Sequence, residues 1–168
     1  AAGSHLGVGG VYIGGHTTLL TYGSVLQPQE AGSGGFGSLA RAGGGVVRIQ
    51  AGAVVFGGAN ASIVASGGGT DGSAVDNAGA GGSVWIKAAS ITGDGVIGAM
   101  GGEAYYSRGG GGAVAIEYET TSGTVLSGAN AKGSLSGTSI RNGGAGTVVL
   151  KGPGATHGTL RVDNRETK

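Results

Sequence analysis

Short apolar runs with a period of two residues recur along the chain, and each is closed by glycine, asparagine, aspartate or serine. Five segments can be aligned on a glycine that is followed, two and four residues later, by branched apolar residues. Because alternate residues of a strand point to opposite faces, this pattern predicts short strands with one buried face. The five units begin at Gly9, Gly45, Gly82, Gly112 and Gly146.

Aligning the units predicts which residues stack on one another. Uniform branched columns are expected where equivalent strands lie in parallel about 4.8 Å apart. Five residues after the glycine, Lys87, Glu117 and Lys151 would alternate in charge on the outer face. The two predicted inner columns are Val11, Val47, Val84, Val114 and Val148, and Ile13, Ile49, Ile86, Ile116 and Leu150.

The stretches between the units differ in length, and their surplus is rich in glycine at 67–81, 101–111 and 133–145. We interpret residues 1–168 as one all-β domain, a β-solenoid. It would be a right-handed parallel β-helix of about four to five rungs with glycine-rich loop inserts. The alternative is that the inserts associate into a polyglycine II-like layered sandwich. The first residues do not resemble a signal peptide, and we expect the chain to be a fragment of a larger extracellular protein.

Composition restricts the classes of protein that fit. Glycine occupies 43 of 168 positions, which disfavours a helical domain because each glycine in a helix costs about 1 kcal/mol relative to alanine. The two prolines and the absence of a three-residue glycine period exclude collagen. A hydrophobic content of 39% provides side chains for a core and argues against disorder.

Charge and cysteine content exclude several partners and sites. The formal net charge is +1 without blocks of either sign, so we expect no nucleic-acid partner. No apolar stretch reaches the roughly 20 residues that cross a bilayer, so we expect no membrane insertion. The absence of cysteine excludes disulfides, zinc–thiolate sites and thiol nucleophiles.

A recurring arrangement of residues suggests a family resemblance. Segment 22–35 contains Tyr-Gly-Ser, then a proline, then Gly-Ser-Gly-Gly, and residues 43–49 follow with three glycines and an apolar strand. This arrangement resembles the glycine-rich repeat regions of very large extracellular and cell-surface proteins of bacteria and some other microbes. The resemblance covers nearly the whole chain. Regions of this kind occur among adhesins, lectin-like modules and carbohydrate-degrading proteins, so the resemblance implies a function in one of these classes. Further pieces that look like successive rungs are 81–86, 143–151 and 156–160.

Two clusters of aromatic and cationic residues are the candidate ligand sites. One is an outward column three residues after the unit glycine, and the other lies inside a glycine insert. Aromatic rings offer flat apolar faces to sugars, and arginine donates hydrogen bonds to hydroxyls or carboxylates. The alternatives are that an insert folds over the column as a second small core, and that the insert cluster anchors its own insert. The candidate residues are Tyr12, Arg48, Trp85, Tyr105, Tyr106 and Arg108.

Metal and catalytic chemistry have weaker support. Asp71 and Asp76 lie in a glycine loop and are a weak candidate for Ca²⁺, but the loop lacks the dense ligand alternation of a calcium site and is more typical of a plain turn. Glu117 and Glu119 share one face of a strand, which needs no function to explain it. We therefore expect no cofactor and no catalytic residues.

The sequence predicts a noncatalytic extracellular binding or adhesion module. Its partners would be a glycan or another cell-surface ligand, together with neighbouring modules of the parent chain. The alternatives are a structural spacer repeat of a surface protein and a polysaccharide-active β-helix enzyme.

Overall fold

The computed structural model describes residues 1–11, 20–36, 41–70, 76–135, 141–162 and 164. These residues form one five-stranded sheet in chain order, parallel from β1 to β4, with β5 antiparallel on the edge of β4. No helix in this part of the chain is long and apolar enough to cross a bilayer. The all-β class is confirmed. The strands are β1 (Val46–Val64), β2 (Ser83–Gly98), β3 (Ala113–Ser122), β4 (Thr147–Lys151) and β5 (Thr159–Arg161).

The predicted stacking of β1 to β4 is confirmed residue by residue. Val47 pairs with Val84, Val84 with Val114, and Val114 with Val148, and the isoleucine column follows in the same register. The valines and isoleucines of β2 and β3 in these columns are almost completely buried. Burying a side chain of this size contributes about 1.5–3 kcal/mol, so the two columns are the main hydrophobic support of the sheet.

The long strands bend around the core. A straight strand of 19 residues, the length of β1, would extend about 60 Å. Gly44 and Ala65, which flank β1, are nevertheless neighbours, since a Cβ on Gly44 would come within 3.0 Å of the Ala65 backbone. Gly81 and Ala99 flank β2 and meet in the same way. The bend in β2 contains Gly93, whose φ of 98° favours glycine.

The unit predicted at Gly9 does not continue the stack in the described residues. The Gly9 amide donates to Ser4 Oγ (3.0 Å), and the Gly10 amide donates to the Arg108 carbonyl (2.8 Å), so neither bonds to β1. Tyr12 and Ile13 lie outside the described residues. Over the described chain β1 is therefore an edge strand, and its column residues are only half-buried.

The glycine-rich stretches form a second hydrogen-bonded body, which we call the glycine bundle. Its segments bond to one another through backbone N–H and C=O groups, often between residues far apart in sequence. The bundle consists of residues 1–10, 31–36, 41–45, 65–70, 76–82, 99–104, 107–112, 129–135 and 141–146.

Hydrogen bonds in the bundle follow a three-residue period. Successive N–H groups of segment 76–82 donate to three neighbouring segments in turn, and the first two directions recur three residues later. Three residues per turn is the period of a polyproline II-type helix, which makes no hydrogen bonds within itself. The acceptors for residues 78 to 82, in order, are the carbonyls of Ser107, Gly68, Ser33, Gly110 and Ala65.

Close approach explains why the bundle is made of glycine. The Gly109 amide donates to Gly102 (3.1 Å), Gly102 to Gly79 (2.9 Å), and Gly79 to Gly68 (2.9 Å). At Gly79, Gly102 and Gly109 a Cβ would lie within 3.0 Å of a neighbouring backbone. A side chain at these positions would push the hydrogen-bonded segments apart.

Gly109→Ala should therefore destabilise the protein by about 1–3 kcal/mol or more, the usual cost of overpacking. Gly52→Ala is the matched control, because nothing lies within 4 Å of a Cβ at that position of β1, and its effect should be within about 0.5 kcal/mol. Urea denaturation of both variants measures the difference. Equal stability of the two variants would show that the bundle is not packed as described.

Candidate functional site

The sheet carries a column of side chains on its outer face, opposite the core. Arg48 pairs with Trp85, Trp85 with Ala115, and Ala115 with Val149, as the alignment predicts. Tyr12, the other predicted member, lies outside the described residues.

Residues 20–31, which we call the covering segment, lie against this outer face. Pro28 is fully buried, and Ser83 Oγ at the start of β2 donates to the Glu30 carbonyl (2.6 Å). Leu26 and Gln27 share a hollow with the buried side chains of the column. A second packed layer therefore exists on the outer face, and it comes from the covering segment rather than from one of the predicted glycine inserts.

Trp85 and Arg48 form a stacked pair at one end of the column. The guanidinium carbon of Arg48 lies 4.4 Å from the Trp85 ring centroid, within the range of a cation–π interaction. Trp85 is half-buried, and its indole nitrogen is buried without a hydrogen-bond partner among the described residues. The arginine that the sequence places beside Trp85 therefore lies on the face of the indole.

The charged column beside this pair is in the predicted register. Gln50, Lys87, Glu117 and Lys151 follow one another across β1 to β4. Lys87 Nζ lies 3.5 Å from Glu117 Oε2, and the Lys87 side chain is 60% exposed. Such an exposed pair contributes about 0–1 kcal/mol, so its role is to order polar groups on the surface rather than to stabilise the fold.

Three neighbouring hollows lie on this outer face and share lining residues, and we refer to them together as the groove. A hollow of about 240 Å³ contains Arg48, Trp85 and Gln27. The next, of about 390 Å³, and the third, of about 260 Å³, both extend to Lys151. All three hollows share Glu117. The groove joins aromatic, amide, cationic and carboxylate groups that the sequence keeps far apart.

Gln27 and Gln50 are among the groove residues that sequence reasoning did not identify as part of a site. Gln50 had a signal, since it occupies the charged column five residues after Gly45. Gln27 had none, because its place depends on where the covering segment lies. The column of Lys87, Glu117 and Lys151 was predicted, but not as part of a site.

The second predicted cluster lies in a turn of the glycine bundle. The rings of Tyr105 and Tyr106 meet edge to face with centroids 5.7 Å apart, and Tyr105 is 49% exposed. The Arg108 guanidinium lies 3.3 Å from the Glu103 carboxylate and also donates to Ser134 Oγ (3.4 Å). Arg108 is therefore engaged in holding segments of the bundle together, and these residues do not line the groove.

One of the two candidate calcium ligands is paired with a protein cation. Asp76 is buried, and its Oδ2 accepts a 2.6 Å hydrogen bond from Arg41 Nε. Thr70 Oγ1 donates to the other carboxylate oxygen at 3.5 Å. Asp71 lies outside the described residues. Within the described ranges no three His, Asp or Glu side chains are grouped as a metal ion would require.

Comparison with protein-family models, curated proteins and solved structures finds no match for this chain. Its function must therefore be argued from the groove itself.

Arg48→Gln should uncover one face of the Trp85 indole. Because Trp85 is the chain's single tryptophan, tryptophan fluorescence reports on this ring alone. We expect a stability loss of about 0.5–1 kcal/mol from the cation–π contact and stronger acrylamide quenching of Trp85 fluorescence. Lys87→Gln is the control, since it removes a neighbouring cation that makes no described contact with the ring. Unchanged quenching in Arg48→Gln would contradict the stacked arrangement.

Proposed function

We propose that this protein is a noncatalytic extracellular binding module whose groove accepts an extended carbohydrate chain. The observation that carries the proposal is that three neighbouring hollows share Glu117 and together extend from Trp85 to Lys151. An extended site of this kind suits a ligand of several sugar units better than a compact small molecule.

The groove walls have the chemistry that sugars require. Side-chain amides of Gln27 and Gln50 each offer donors and an acceptor, and the Glu117 carboxylate accepts. The Arg48 guanidinium donates several hydrogen bonds in a fixed plane, while the Trp85 ring offers an apolar surface to sugar C–H groups. Each contact is weak alone, so repetition of the module along a parent protein would raise the overall avidity.

The proposal includes a finer architecture that combines both folds expected from the sequence. Each bent strand with its closing glycines would be one rung of a right-handed parallel β-helix, consistent with the contact between Gly44 and Ala65. The inserts would form a polyglycine II-type bundle, consistent with their three-residue hydrogen-bond period. The resemblance of segment 22–35 to microbial surface proteins supports a cell-surface location.

A structural spacer is the second candidate function, and the edge of β1 favours it. Val47 and Ile49 are half-buried at this edge, whereas Val84 and Ile86 in the same columns are fully buried. Another rung of the same repeat would complete their burial. The enzyme alternative has less support, because Glu117 lines the groove near Glu119 but is paired with Lys87.

A glycan array followed by calorimetric titration tests the proposal. Trp85→Ala should weaken binding about tenfold or more, since truncating an aromatic anchor of a binding site costs about 2 kcal/mol. Tyr105→Ala, in the bundle turn outside the groove, is the control and should bind as the unchanged protein does.

Loss of binding in Tyr105→Ala with retention in Trp85→Ala would move the site to the bundle turn. If the unchanged protein binds no glycan on the array, the binding function is wrong and the spacer function is favoured.

A further inference from the structure

His5 is a buried histidine that does not line the groove. Its side chain is fully buried, yet both ring nitrogens lack a hydrogen-bond partner among the described residues. The ring packs edge to face on Tyr22, with centroids 5.0 Å apart and planes at 74°. A buried polar group without partners is unfavourable and calls for an explanation.

The ring of His5 lies directly against the start of the covering segment. The Tyr22 amide donates to the His5 carbonyl (2.9 Å), and the Tyr22 hydroxyl donates to the Ala31 carbonyl (2.7 Å) at the other end of the segment. A Cβ on Gly23, whose φ is 108°, would come 2.7 Å from His5 Nε2. Because the side chain is fully buried, bulk water does not reach the ring to solvate a charge on it.

We propose that the contact of His5 with Tyr22 and Gly23 is sensitive to pH. It holds the covering segment on the sheet while His5 is neutral and breaks when His5 is protonated. The segment supplies Leu26 and Gln27 to the groove wall. Release would therefore change the groove, and this consequence for ligand binding rests on the proposed function.

The electrostatic surroundings favour the neutral ring. Burial lowers the pKa of His5 below its ordinary value of 6.5, and the Glu30 carboxylate opposes this only in part. Glu30 and Tyr22 are the ionisable groups that the covering segment brings towards the ring. The Glu30 pKa is itself lowered, mainly by a hydrogen bond from the Gln29 amide.

The sign of the effect follows from these pKa values. With the segment released, the pKa of His5 would be near its ordinary value of 6.5, whereas with the segment closed the pKa is lower. At a pH between these two pKa values, the released form therefore binds more protons than the closed form. The closed form is most stable above pH 6.5 and loses stability as the pH falls towards the lowered pKa. In that window the ratio of open to closed forms rises up to about tenfold for each pH unit.

Acrylamide quenching of Trp85 tests the proposal without any ligand, because Trp85 shares a hollow with Gln27. Between about pH 8 and about pH 5, quenching of the unchanged protein should increase reversibly while the far-ultraviolet spectrum stays constant. His5→Leu should abolish the increase. His5→Gln, a polar replacement that does not titrate, serves if the leucine variant does not fold.

His157→Gln is the matched control, since His157 also lines the groove but is exposed, and it should keep the full pH response. A response that persists in both His5 variants, or that disappears in His157→Gln, would overturn the proposal, as would constant quenching in the unchanged protein. Because no glycan is present, a failure here is independent of whether the groove binds carbohydrate.

Discussion

Backbone hydrogen bonding between glycine segments is the constraint on which this structure depends. The amides of residues 78–82 donate to other segments, and a buried N–H or C=O group without such a partner would be unfavourable. Neighbours such as Gly79 and Gly102 approach so closely that a Cβ would meet backbone atoms. The unusual composition is thus a requirement of packing rather than a sign of flexibility.

The same constraint positions the sheet and its groove. The Gly82 amide donates to the Ala65 carbonyl (2.7 Å), and the Ser83 amide donates to Gly45 (3.0 Å), so both ends of β1 are fixed to the start of β2. With the inner columns buried and the ends fixed, the alternation of the strands leaves the column of Arg48 and Trp85 on the outer face. The covering segment then converts that face into a groove.

The sequence was sufficient to predict the register of β1 to β4. Each of these strands is preceded by a glycine and has branched apolar residues two and four positions after it. At Gly9 the same pattern does not lead into a strand on β1 within the described residues, because Gly9 and Gly10 belong to the glycine bundle. The neighbours of each bundle segment could not be predicted because glycine carries no side chain to specify a partner. The burial of His5 and the position of Gln27 depend on the covering segment, for which no repeat pattern exists.

Residue-resolved amide hydrogen exchange tests most directly whether the glycine bundle is a cooperative part of the fold. If it is, the amides of Gly79, Gly102 and Gly109 should exchange about as slowly as those of Val84 and Ile86 in the sheet, because both sets open only on global unfolding. Exchange of the three glycine amides as fast as that of exposed turn residues, with slow exchange confined to the sheet, would contradict the account.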